Sequence, residues 1–130
     1  MKPWSLLWVA LGGAFGSLGR YAVYLAADRW CPRAWVPMGT LTVNTVGCLA
    51  IGALAAWIAH RDSFSESWRL FLVVGVLGGF TTFSTFGQDF VVLARREELG
   101  RALSHLGANI ALGLGAVWLG AWLVQKLGAE

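Results

Sequence analysis

The residue pattern predicts an all-α membrane protein of four transmembrane helices, the third of them broken, forming one domain over residues 1–130. Three observations lead there. The chain is 57% hydrophobic and only 13% charged, whereas a soluble domain of this size carries about 25% charged residues. Its apolar residues fall into four long runs, and about 20 residues suffice to cross a bilayer. Several of the eight tryptophans (Trp4, Trp30, Trp35, Trp57, Trp68 and Trp122) sit near the ends of those runs, where an interfacial belt places them.

The first span is expected over residues 4–27. One early lysine followed by an apolar run invites comparison with a signal peptide. No small-residue cleavage site leads into a soluble domain, so the run reads as a retained helix. The second span covers 38–59, the third 68–94 and the fourth 102–127. The connections are short, and none can hold a soluble domain. Cys31 falls in a connection and Cys48 inside a helix, which argues against a disulfide between them; Cys48 reads as a packing residue.

Glycines prepare close helix contacts. Gly12 with Gly16, and Gly75 with Gly79, are small-xxx-small pairs that let backbones approach in lipid. The run Gly13-x-x-Gly16-x-x-Gly19 lacks the preceding strand and following Lys-Ser/Thr of a phosphate loop. The net charge of +3 is small, and its cations sit mostly in short connections. They read as topological rather than as a nucleic-acid surface.

Four spans put both termini on one side of the membrane. That side carries Lys2, Arg61, Arg69 and Lys126, and the other carries Arg29, Arg33, Arg95, Arg96 and Arg101. Four against five gives no firm orientation under the positive-inside rule. The balance permits insertion both ways round and hence an antiparallel, dual-topology dimer.

The third span is interrupted by Gly78-Gly79-Phe80-Thr81-Thr82-Phe83-Ser84-Thr85-Phe86. Paired glycines weaken a helix, and broken helices at membrane depth survive only against protein or a watery cavity. Such breaks commonly form ion or substrate sites, so this one points to transport. Phe80, Phe83, Phe86 and Phe90 recur at helical spacing, either as a packing stripe or as ring edges, which are electropositive, turned to an anion.

Each polar residue at membrane depth is a functional candidate. Thr40, Asn44 and Gly47 share one face of the second span, and Asn44 can donate to an anion or bond a neighbouring helix. His105 and Asn109 share a face of the fourth, Asn109 deeper and His105 nearer the interface. Arg20 is the one cation well inside a span; it can snorkel or draw anions to a pore mouth. Asp89 is the one acid inside a span, and a structural role is favoured for it over proton coupling. Enzyme constellations are missing: His60 and His105 lie apart, without metal-ligand spacing, and there is no strand–turn–helix for a nucleophile elbow.

With these motifs in order along the whole chain, it resembles the Fluc (CrcB) family of small fluoride channels. The matching residues are Gly12-Gly13-Ala14-Phe15-Gly16 continuing to Arg20-Tyr21, then Gly39-Thr40-Leu41-Thr42-Val43-Asn44 with Gly47, then the motif of the third span. The resemblance implies an antiparallel homodimer in the bacterial inner (plasma) membrane that exports fluoride passively from the cytoplasm through two pores. It implies pore roles for Phe83, Phe86 and Asn44, a hydroxyl track of Thr82, Ser84 and Thr85, and a vestibule role for Arg20. Thr40 and Asn109 join them as pore candidates. It further implies a structural Na+ at the dimer centre, held by the backbone carbonyls of Gly78 and Thr81. Two departures stand out. Many members carry a tyrosine and a serine or threonine near His105 and Asn109, and Ser-x-Glu where this chain has Gly87-Gln88-Asp89. The rival reading is a small dual-topology multidrug-exporter-like transporter. That mechanism calls for an embedded acid in the first span, and residues 4–27 hold none.

Overall fold

A computed structural model describes residues 3–60 and 64–127. Helix α1 spans Pro3–Trp30 and α2 Met38–Ala59. A third helical segment, α3, joins Glu66–Arg69, a π-helical stretch Leu70–Leu77 and a last turn Gly78–Phe80. After the break come α4, Phe83–Arg95, and α5, Leu99–Leu127. Four helical stretches are long and apolar enough to cross a membrane: Trp4–Trp30, Met38–Ala59, Glu66–Arg95 and Leu99–Leu127. Of the cations weighed for topology, Lys2 and Arg61 lie outside the described residues.

Local chemistry sets the helix ends. α1 continues past Ala27 and stops at Trp30 because Cys31 precedes Pro32, and a residue before proline is pushed out of the helical region. The added turn brings Asp28 onto α1, at its end rather than at mid-depth. α4 closes with a Schellman arrangement: the Glu97 N–H donates to the Ala94 carbonyl and the Glu98 N–H to that of Leu93, both at 3.1 Å. Glu97 takes the left-handed position, φ 61°, that glycine usually fills. The Glu98 carbonyl then accepts from Ala102 N–H at 3.0 Å, so α5 begins a turn before residue 102. Arg101 secures this corner by pairing with Glu98 and donating to the Trp35 carbonyl at 2.8 Å.

The helices pack as two close pairs, α1 with α3 and α2 with α5. In the first pair the two small-xxx-small motifs meet. A methyl on Gly75 would lie 2.7 Å from the Gly12 Cα, and one on Gly79 2.7 Å from the Gly13 carbonyl oxygen. The π-helical stretch runs along this contact; its wider turn offsets the register of an α-helix. In the second pair, methyls on Gly52 and Gly120 would run into the carbonyl oxygens of Val117 and Leu49. Gly52→Ala is therefore expected to destabilise the protein by about 1–3 kcal/mol. Gly107→Ala, where a methyl meets nothing within 4 Å, is the control in thermal unfolding in detergent.

Candidate functional site

The break is two residues of extended backbone. Thr81 (φ −83°, ψ 160°) and Thr82 (φ −154°, ψ 119°) leave the helical region between Phe80 and Phe83. In lipid each stranded backbone group costs several kcal/mol, and here side chains take them up. The Thr82 N–H donates to Asn44 Oδ1 at 2.9 Å, and Asn44 Nδ2 donates to the Thr82 carbonyl at 3.1 Å. Asn44 thus pairs with both polar groups of one residue, as a neighbouring strand would. A methyl on Gly47 would strike Thr81 Cγ2, so the glycine one turn from Asn44 lets α2 approach the break.

Thr82 also caps α4. Its Oγ1 accepts from the Thr85 N–H at 3.1 Å and donates to Thr85 Oγ1 at 3.1 Å, and Ser84 Oγ lies 3.2 Å away. Among the carbonyls that lose the donors an unbroken helix would offer are two whose donors are taken by side chains. The donor due to Gly78, Thr82 N–H, is bound to Asn44, and that due to Thr81, Thr85 N–H, is bound to Thr82 Oγ1. Neutral, undercommitted carbonyls of this kind suit a small hard cation. Arg20 Nη1 reaches the Thr81 oxygen at 3.4 Å, leaving that oxygen a second lone pair. Among the described residues no three His, Cys, Asp or Glu side chains gather where they could hold a metal ion.

From the break the polar groups continue across α2, α4 and α5. Asn44 Nδ2 donates its other proton to Asn109 Oδ1 at 3.0 Å. Asn109 Nδ2 lies 3.0 Å from the His105 carbonyl and 3.3 Å from His105 Nδ1. His105 is fully buried, and its ring lies 5.5 Å from that of Phe86. Its Nε2 lies 3.7 Å from Asp89 Oδ2. That carboxylate accepts from the Thr40 hydroxyl at 2.6 Å, and Tyr24 Oη is 3.4 Å from the same hydroxyl.

Two cavities flank this network. One, of about 480 Å³, has Asp28 and Arg101 among its lining residues and reaches Tyr24, Thr40, Thr85 and Asp89. The other, about 440 Å³, is lined by Asn44, Thr82, Phe83, Phe86 and Asn109 and touches Gly78 and Thr81. Thr85 belongs to the first and Thr82 to the second, and their hydroxyls are bonded directly. Phe86 is buried, whereas Phe83 is 83% exposed; the two ring centroids are 5.4 Å apart.

The structure thus brings together Thr40, Asn44, Thr82, Ser84, Thr85, Phe86 and Asn109. Phe83 projects from the rim of the second cavity, and Arg20 stands at the Thr81 carbonyl. Sequence reasoning overlooked Tyr24, one helical turn beyond Arg20, and the Thr40–Asp89 bond. The hint for Tyr24 was its place on the same helix face as Arg20, four residues on; nothing in the sequence joined Thr40 to Asp89. The expectation that Cys48 packs within a helix agrees with its place beside Gly113, on which a methyl would lie 3.5 Å from its Sγ.

The family described as CrcB-like protein, Camphor Resistance (CrcB), matches residues 7–121. The chain is similar to the protein named Fluoride-specific ion channel FluC of Caulobacter vibrioides (strain NA1000 / CB15N). They are 44% identical over 123 residues, 94% of this chain and 96% of that protein. The protein of the same name from Paracoccus denitrificans (strain Pd 1222) is 47% identical over 116 residues, 89% of this chain and 90% of its own length. That of Nitrobacter winogradskyi is 41% identical over 127 residues, 98% of this chain and 100% of its own length. With a match that runs almost from end to end and spans the break, this chain belongs to the CrcB family.

Proposed function

We propose that this chain is a fluoride channel of a bacterial plasma membrane and not an enzyme. The observation that supports this most is the neutral polar network joining the two cavities. Its N–H and O–H donors come from Asn44, Asn109, Thr82, Ser84 and Thr85, with the edges of Phe83 and Phe86 beside them. The relatives named Fluoride-specific ion channel FluC carry the same reading. A small anion gives up hydration only for donors, and it leaves again only if no fixed cation traps it. Hydroxyls, amides and ring edges meet both conditions.

In this reading an ion enters the cavity near Thr40, moves along the Thr85 and Thr82 hydroxyls, and meets Asn44. The Asn44 N–H directed at Asn109 can pass to the ion if the ion displaces Asn109 Oδ1 from it, and the clamp on Thr82 stays in place. Arg20 raises the local potential for an anion near the break. The direction is outward from the cytoplasm and downhill, relieving fluoride toxicity. The working unit is an antiparallel, dual-topology homodimer: the near-equal cation counts on the two sides support it, and a second copy would cover Phe83 and the open side of the second cavity. The Gly78 and Thr81 carbonyls of both copies would hold a structural Na+ at the two-fold axis.

Expression in a bacterium sensitised to fluoride by loss of its own exporter tests the function in cells. Restored growth is the expected outcome, and no rescue by protein verified in the membrane would count against it. For the cation, replacing sodium by a bulky organic cation during purification is expected to lower dimer stability or fluoride flux. If both are unchanged after rigorous exchange, the carbonyls hold no ion of consequence.

A further inference from the structure

The hydrogen bonds from the break to His105 have a fixed sense, and a backbone group sets it. The Thr82 N–H can only donate, so the Asn44 atom it meets is the oxygen, Oδ1. Asn44 Nδ2 must then face the two acceptors on its other side, the Thr82 carbonyl and Asn109 Oδ1. That places Asn109 Nδ2 against the imidazole, 3.3 Å from His105 Nδ1 and 3.0 Å from the His105 carbonyl. A ring nitrogen facing an amide donor is the unprotonated one, so neutral His105 carries its hydrogen on Nε2. Nε2 is buried without a hydrogen-bond partner and lies 3.7 Å from Asp89 Oδ2.

A second proton on His105 would enter at Nδ1 and set two donors against each other, Nδ1–H and the Asn109 amide. The conflict is relieved when Asn109 turns its Oδ1 to Nδ1–H, giving up its bond to the His105 carbonyl. Asn109 Nδ2 then stands beside Asn44 Nδ2, and two N–H donors without an acceptor between them are left for an anion in the second cavity, which both residues line. At the other edge the cationic ring gives Asp89 a charged partner and removes a net negative charge from beside Thr40. Both consequences favour an anion.

We propose that His105 is a proton-responsive positioning residue that sets the Asn109 amide and, through it, whether Asn44 has a free donor for the permeating ion. This rests on the fluoride-channel reading above. Asp89 on α4 is the charged group facing the ring, and Tyr24 on α1 reaches it through Thr40. From α2 come Thr40 and Asn44, which do not titrate. Asp28 and Arg101 stand farther off in the first cavity, Arg101 held by Glu98.

The test measures fluoride efflux from proteoliposomes between about pH 5 and pH 8, the range where histidine titrates. Protein-free vesicles are run in parallel to subtract leakage of hydrogen fluoride. Wild-type flux is expected to rise about threefold to tenfold as pH falls, the worth of one hydrogen bond released to the ion. His105→Gln is expected to conduct with a flat profile. Because His105 is buried, a second readout uses the unaltered residue: nitrogen NMR of labelled imidazole in His60→Gln protein, where His105 is the one remaining histidine. Nδ1 should be bare at high pH and gain its proton over the same range as the rise in flux. Fluoride-selective flux that ignores pH, an equal pH dependence in His105→Gln, or a hydrogen on Nδ1 at high pH overturns the proposal. Absence of fluoride flux at every pH instead overturns the channel reading on which it rests.

Discussion

Asn44→Asp is expected to abolish fluoride flux and to destabilise the fold by about 2–6 kcal/mol, the sum for two stranded acceptors. One carboxylate oxygen could still accept from the Thr82 N–H. The other would face the Thr82 carbonyl and Asn109 Oδ1, now at 3.1 and 3.0 Å from a donor, so three acceptors would crowd together with none to donate. The added negative charge also lies where an anion must pass, in surroundings that screen it poorly. Asn44→Ser, which keeps a donor but shortens its reach, should lose part of the flux and less stability. Efflux assays with thermal unfolding of the same preparations check both. Wild-type flux in Asn44→Asp would remove Asn44 from the path.

Phe83→Ile and Phe86→Ile should each cut flux sharply, about tenfold or more if the ring edge contributes at least 1.4 kcal/mol to the ion. They should differ in stability. Phe83 is 83% exposed in the single chain, so its replacement leaves the fold of one subunit nearly unchanged. Phe86 is 8% exposed and packs against His105; losing the ring leaves a cavity, costing about 1–3 kcal/mol. Isoleucine preserves apolar bulk while removing the electropositive edge. Unchanged flux in both variants would leave these rings with packing alone.

The parts of this structure legible in the sequence are those that lipid forces. Backbone groups at membrane depth must be satisfied, so a double glycine followed by hydroxyl residues had to be a break lined by protein. Close approach of α1 and α3 was legible in Gly12, Gly16, Gly75 and Gly79, because only small residues let backbones touch. The Gly52–Gly120 crossing escaped notice, since neither glycine belongs to a small-xxx-small pair with a glycine partner. Partners were the least legible feature. Asn44 and Thr82 are 38 residues apart, and Thr40 and Asp89 are 49, so each pairing depends on how two helices face each other. The full burial of His105 within the protein, its ring beside that of Phe86, was likewise not legible, because it depends on how α4 and α5 face each other. No residue type marks the π-helical stretch of α3.

The most direct measurement is the initial rate of anion efflux from vesicles containing the purified protein, loaded in turn with fluoride and with chloride. A neutral track of donors and ring edges predicts fast, passive fluoride efflux that needs no proton gradient, with chloride released no faster than from protein-free vesicles. Equal release of the two anions, or fluoride movement only when a proton gradient is imposed, would contradict it.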